Sequence, residues 1–127
     1  MSQHDIRSAV VIEDDDGIRS LLSVVLQRAG LHVVEASNGL DGVEAVRVHE
    51  PTVVIVDIRM PGIDGFETTR RIRAISNTLV IVLSARVADA DEVESLAAGA
   101  DVYLPKPFRP RELRALIDTR LSRVHSA

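Results

Sequence analysis

The chain alternates short β-branched segments with amphipathic helical segments along its whole length. Between the first two β-branched segments, residues 17–29 place apolar side chains at the i, i+3, i+4, i+7 spacing of a helix with one buried face. Such alternation predicts a parallel sheet covered on both faces by helices. With right-handed crossovers, the expected α/β fold is a flavodoxin-like (βα)5 open sheet with strand order 2-1-3-4-5. The predicted strands lie at 9–12, 31–34, 52–56, 79–83 and, more weakly, 101–104.

Capping and apolar residues mark the helices between these strands. Gly30 is expected to end the first helix in a left-handed conformation, and Asn38 to cap the start of the second. The later helices are predicted from a third apolar stripe that ends at Ile75, from Val93, Leu96 and Ala97, and from a segment that opens with Pro110.

Length and composition limit the classes of function. The 127 residues suffice for one sizeable core, and we expect a single domain over 1–127, with its core at about 8–123 and without an output domain. The formal charge of −4 argues against bulk attraction to nucleic acid or to an anionic membrane. Because the chain has no cysteine and no signal-peptide pattern, a cytoplasmic protein is expected.

Polar side chains stand where the predicted strands end. Glu13 and Asp14 follow the first strand, Asp57 the third, Ser84 the fourth and Lys106 the fifth. In an open parallel sheet these carboxyl ends share one edge, where ligands bind at the switch point between strands. Crowded carboxylates favour Mg²⁺, while a lysine and a hydroxyl suit phosphate oxygens. The pattern indicates a phosphoryl-transfer site in which a carboxylate of the protein is itself phosphorylated.

Four segments, in this order and spacing, carry a resemblance to a known family. The chain resembles the receiver domain of bacterial two-component response regulators, the CheY-like family, from about residue 8 to about residue 123. The segments are VVIEDDDGIRSLL, VIVDIRMPGIDGFE, VLSAR and GADVYLPKPF.

The resemblance assigns a role to each acidic residue of the site. Asp57 is the phosphoacceptor, which takes a phosphoryl group from the phosphohistidine of a sensor histidine kinase. Asp14 binds Mg²⁺ or Mn²⁺ directly and Glu13 binds it through water, with Asp57 and the backbone carbonyl of Arg59 as further ligands. From the residues alone, Asp15 and Asp16 are expected to be no more than helix-start acids.

The resemblance also implies a switch. Ser84 donates a hydrogen bond to the phosphate, and Tyr103 turns inward when that hydroxyl moves. Lys106 binds the phosphate, and its peptide bond to Pro107, usually cis in the family, aims the ammonium at the cleft. The surface of the fourth helix, fifth strand and fifth helix then controls an output domain or a downstream protein. The domain catalyses only its own phosphorylation and a slow autodephosphorylation.

Arginines near the site suggest a long-lived phosphoryl group. Arg59 and Arg86 stand two residues beyond Asp57 and Ser84, and are expected to flank the path of the hydrolytic water. Arg59 also stands where a phosphatase with an Asp nucleophile and Mg²⁺ usually has a second acid. That phosphatase, and a receiver-like interaction module without phosphorylation, are the alternative functions.

The dimer typical of the DNA-binding subfamily is not predicted. Glu92, Val102 and Leu116 occupy positions where that pattern usually has a basic, an acidic and a basic residue, although Glu112 is kept. A weak or phosphorylation-dependent homodimer is left open.

Overall fold

The computed structural model describes residues 7–85 and 89–126, with side chains at 7–85 and 90–122. Within those ranges, strands and helices alternate strictly, and none of the helices is long and apolar enough to span a bilayer. The strands are β1 (Ser8–Ile12), β2 (His32–Ala36), β3 (Val53–Asp57), β4 (Leu79–Ser84) and β5 (Val102–Pro105). The helices are α1 (Asp16–Arg28), α2 (Gly39–His49), α3 (Gly65–Ile75), α4 (Asp89–Ala98) and α5 (Pro110–Ser126).

The strands of the described residues form one parallel sheet in the order β2-β1-β3-β4-β5, which confirms the predicted topology. Alternating side chains along the strands belong to two aliphatic cores, one on each face of the sheet. Val11 and Ile55 belong to the core that α1 and α5 cover, while Val10 and Val54 belong to the other. Burial of β1, β3 and β4 on both faces explains their near-continuous β-branched sequences.

Side-chain caps fix where the helices start. The Asp15 carboxylate accepts a hydrogen bond from the Ile18 N–H, and Asn38 accepts one from the Asp41 N–H. Gly30 has a φ of 91°, as its place after α1 predicted. The interpretation of Asp15 as a helix-start acid is therefore confirmed.

The apolar pattern of α4 gave the helix but not its buried face. Val93 is 67% exposed and Leu96 is also exposed, whereas Ser95 and Ala98 are buried. The face of α4 that packs against its neighbours therefore carries small side chains. Because these are not strongly apolar, the hydropathy pattern does not identify this face. Ile75, where the predicted stripe of α3 ends, is likewise exposed, as is Leu40 in α2.

The fifth strand begins one residue later than predicted. Asp101 lies before β5 because its carboxylate accepts hydrogen bonds from the Val80 N–H and from Arg73. Its own backbone N–H donates to the Val80 carbonyl. Asp101 therefore joins the start of β4 to the start of β5.

Candidate functional site

The carboxyl ends of the strands bring the sequence-predicted acids together. Asp57 closes β3, and Glu13 and Asp14 directly follow β1, which lies beside β3 in the sheet. Glu13 is 1% exposed and Asp57 5% exposed, whereas Asp14 is exposed. Among the described residues, these three offer carboxylate oxygens that all lie within 4.8 Å of one another. Because Mg²⁺ prefers oxygen ligands and keeps several waters, this donor set, open on the Asp14 side, fits that cation.

Lys106 supplies a positive charge inside this group. Its Nζ lies 2.9 Å from Asp57 Oδ1 and 3.2 Å from Glu13 Oε1. It is the single lysine of the sequence, and it follows β5 with a cis bond to Pro107. Burial alone would lower the pKa of the Lys106 ammonium, but its contacts with Asp57 and Glu13 raise that pKa. Lys106 is therefore charged at neutral pH.

Burial shifts both buried acids in the same direction. It raises the pKa of Glu13 to about 7, because the hydrogen bond from the Asp15 N–H and the charge of Lys106 compensate only in part. It also raises the pKa of Asp57, against the hydrogen bond from Lys106, which lowers it. Desolvated carboxylates with raised pKa values, converging in one cleft, are typical of functional sites.

The buried Ser84 hydroxyl points to helix α4. Its Oγ donates to Asp91 Oδ2 at 3.1 Å. Tyr103 pairs with Val82 across β4 and β5, two residues before the partner position of Ser84. Because side chains alternate along a strand, Tyr103 and Ser84 share one face of the sheet. Tyr103 is half-buried there and packs against the core.

The loop after β3 approaches the site closely at Gly65. A Cβ at this position would lie 2.5 Å from both the Asp57 carbonyl oxygen and the Ile58 Cα. Both are backbone atoms, which cannot move aside without disturbing the strand end. The Gly65 N–H donates to the Ile58 carbonyl at 2.8 Å. Gly65 therefore allows the start of α3 to pack onto the backbone at the end of β3.

A cleft of about 510 Å³ lies beside the end of β3. Arg59, which is exposed, lines it together with Asp64, Phe66 and Asp91. Arg86 lies outside the described residues.

Comparison with known proteins decides the family. Residues 9–118 match the family model described as the response regulator receiver domain. The chain belongs to this family. It is 44% identical over 116 residues to the transcriptional regulatory protein AfsQ1 of Streptomyces coelicolor, a match that covers 91% of this chain and 52% of that protein. The receiver domain thus spans about half the length of the curated relatives it matches.

Solved structures place the receiver domain among proteins of the same fold. The BeF3-activated receiver domain of DrrB, a Thermotoga maritima protein, superposes with a TM-score of 0.85 at 30% identity, covering 92% of this chain and 98% of that chain. A CheY-like receiver domain from Methanospirillum hungatei JF-1 gives a TM-score of 0.89 at 24% identity, covering 96% of this chain and 98% of that chain. These likenesses confirm the flavodoxin-like fold.

The raised pKa of Glu13 predicts that the metal-free receiver loses stability as pH rises. An unfolded glutamate ionises near 4.5 and the folded one near 7, so the folded state binds more protons between these values. The free energy of unfolding should therefore fall across this window, by up to about 3 kcal/mol from this group. The raised pKa of Asp57 acts with the same sign.

Glu13→Gln should flatten this pH dependence. The measurement is urea unfolding in chelator at pH 5, 6, 7 and 8. Glu44→Gln is the matched control, because the hydrogen bond from Arg47 lowers the pKa of the exposed Glu44 and its carboxylate is already ionised above pH 5. Equal slopes for Glu13→Gln and the wild type would contradict the desolvated state of Glu13.

Proposed function

We propose that this receiver domain accepts a phosphoryl group on Asp57 from the phosphohistidine of a sensor histidine kinase, in a reaction that requires Mg²⁺. The observation that carries the proposal is a buried carboxylate at a strand end, held by a charged lysine and flanked by two further carboxylates. The proposed unit is a single receiver domain over residues 1–127. Its partners are the kinase and an output domain or downstream protein, in the cytoplasm.

The transfer is an in-line displacement at phosphorus. An Asp57 carboxylate oxygen forms the new O–P bond as the N–P bond of the phosphohistidine breaks and its electron pair returns to the imidazole. Lys106, already 2.9 Å from Asp57 Oδ1, stabilises negative charge on the equatorial phosphoryl oxygens. Asp14, Asp57 and the Arg59 carbonyl would hold Mg²⁺ directly and Glu13 through water; when bound, the ion neutralises further phosphoryl charge.

The hydrogen bond between Ser84 and Asp91 gives the switch its alternative state. In the unphosphorylated domain the Ser84 hydroxyl donates to α4. A phosphoryl group on Asp57 presents new acceptor oxygens at the end of the neighbouring strand, so Ser84 exchanges Asp91 for phosphate. Tyr103, on the same face of the sheet, follows this movement. The surface of α4, β5 and α5 then changes for the output partner.

Beryllofluoride, which mimics an aspartyl phosphate, should change the fluorescence of the receiver in the presence of Mg²⁺. Tyr103 is the single tyrosine and the sequence has no tryptophan, so the emission reports on this side chain. Asp91→Ala should lower the half-saturating concentration of beryllofluoride roughly three- to ten-fold, because Ser84 no longer has to give up a charged acceptor.

Glu92→Ala is the control for Asp91→Ala, since it removes an exposed carboxylate from the same turn of α4. It should leave the half-saturating concentration unchanged. An Asp91→Ala variant that binds no more tightly than Glu92→Ala would contradict the exchange. A wild-type emission that beryllofluoride does not alter would contradict the movement of Tyr103.

Arg59 and Arg86 are proposed to slow the loss of the phosphoryl group by shielding it from water. Arg59 is exposed at the cleft beside β3, in keeping with this role. Replacing both arginines by Ala should accelerate the decay of the phosphorylated form several-fold, as followed by intact mass after removal of the donor. An unchanged half-life would remove this idea.

The alternatives have less support. A hydrolase with an Asp nucleophile lacks its second acid, because Arg59 stands at that position. An interaction module without phosphorylation would not need the buried carboxylates of Asp57 and Glu13 beside the half-buried Lys106, since desolvating charged groups costs stability.

A further inference from the structure

We propose that Arg19 is a positioning residue for the cation site: it holds the backbone of Glu13, and strand β2 in turn holds Arg19. This inference rests on the proposed Mg²⁺ site and adds to it a residue that contacts no ligand atom of the ion. Arg19 lies on α1, and its side chain is only 17% exposed.

The guanidinium of Arg19 bridges three separate groups. Its Nη1 donates to the backbone carbonyl of Glu13 at 2.9 Å, its Nε to Glu35 Oε1 at 3.2 Å, and its Nη2 to Asp16 Oδ1 at 2.5 Å. The planar guanidinium fixes the angles among these bonds. An anchored Glu35 therefore sets where the Glu13 carbonyl lies.

Glu35 is itself anchored, and its strand reaches Glu13 a second time. The Ser23 hydroxyl lies 2.7 Å from Glu35 Oε2, on the carboxylate oxygen that Arg19 leaves open. The Glu13 N–H donates to the carbonyl of Ala36, the next residue of β2, at 3.0 Å. Both polar groups of the Glu13 backbone are thus tied to the edge strand.

This arrangement offsets the repulsion within the acidic turn. The carboxyl groups of Glu13, Asp14 and Asp57 crowd into one cleft, and as they ionise without the ion their like charges favour moving apart. Because Arg19 and β2 hold the backbone of Glu13, the Glu13 and Asp14 carboxylates stay near Asp57. The ion therefore does not have to order this turn when it binds. Losing Arg19 should therefore weaken the cation site more than its distance from the ligand atoms suggests.

The test measures Mg²⁺ binding to the unphosphorylated receiver, without any phosphodonor. Arg19→Ala should raise the calorimetric Kd for Mg²⁺ about ten-fold, the lower end of the effects seen for groups that orient metal ligands. Arg19→Lys should not restore the affinity, because an ammonium cannot reproduce the fork that joins Glu13 to Glu35. Glu35→Gln should give a smaller rise, since the amide retains an acceptor but loses the charge.

Urea unfolding in Mg²⁺ and in chelator separates positioning from a general stabilising role. At a fixed Mg²⁺ concentration a bound ion stabilises the fold more the more tightly it binds, so the gain from Mg²⁺ should shrink in Arg19→Ala. A purely structural arginine would lower both curves equally. Arg47→Ala, which breaks an exposed ion pair with Glu44 on α2, should leave the Mg²⁺ gain at the wild-type value.

The outcomes are distinguishable. A folded Arg19→Ala with a Kd within two-fold of the wild type would overturn the role of Arg19 while leaving the cation site intact. If Arg19→Ala does not fold, Glu35→Ala decides the matter, because the Glu35 side chain is 44% exposed and tolerates truncation, and an unchanged Kd there would overturn it equally. A wild-type receiver that binds no Mg²⁺ would overturn the cation site itself.

Discussion

Asp57→Asn is expected to abolish phosphorylation of the receiver by small phosphodonors. The amide has nearly the shape of the carboxylate but is not a competent nucleophile, so no acyl phosphate forms. The fold should survive, because the exchange removes a desolvated charge rather than a packing contact. The measurement is intact mass after incubation with phosphoramidate and Mg²⁺, compared with the wild type.

Asp64→Asn is the matched control for this variant. Asp64 lines the cleft beside β3 and caps α3 through the Glu67 N–H, and asparagine caps as well as aspartate. Its labelling should equal that of the wild type. Acid-labile labelling that persists in Asp57→Asn would place the acceptor on another residue and refute the assignment.

Lys106→Met should produce the second large effect, a fall of about 10²- to 10³-fold in the rate of labelling. The ammonium that contacts Asp57 and Glu13 is lost, so charge on the transferring phosphoryl oxygens is no longer stabilised from the protein. The affinity for Mg²⁺ should not fall but rise, because the carboxylates of the cleft lose their internal cation. The two readouts therefore move in opposite directions.

Rate measurements at pH 7 and pH 8.5 separate lost stabilisation of the phosphoryl group from a simple change in the protonation of Asp57. Without Lys106 the pKa of Asp57 rises further, so a higher pH increases the ionised fraction of this carboxylate. A rate defect that persists at pH 8.5 belongs to transition-state stabilisation. Wild-type labelling rates in Lys106→Met, or weaker Mg²⁺ binding in this variant, would contradict the role given to Lys106.

Much of the fold and the acidic cleft follows from sequence pattern. A buried strand in a parallel sheet must be apolar on both faces, so β1, β3 and β4 could be identified directly from their β-branched residues. The rule that carboxyl ends share one edge then brought Glu13, Asp57 and Lys106 together, although they lie far apart in the chain. Three of the predicted ligand groups meet as expected; the Arg59 carbonyl as a ligand stays a prediction.

Contacts that depend on helix phase and close approach could not be predicted in the same way. The bond from Ser84 to Asp91 needs the rotation of α4, and hydropathy indicated the wrong face because Val93 and Leu96 point outward. The bridge from Arg19 to Glu35 joins a helix to an edge strand through polar groups, which leave no periodic signal.

The most direct test of the account is the intact mass of the wild-type receiver after incubation with phosphoramidate, in Mg²⁺ and in chelator, followed by peptide mapping. The account predicts a gain of one phosphoryl group in Mg²⁺ alone, sensitive to hydroxylamine as an acyl phosphate is, and located on the peptide that contains Asp57. A folded receiver that gains no phosphoryl group in Mg²⁺, or gains one on another peptide, would contradict it.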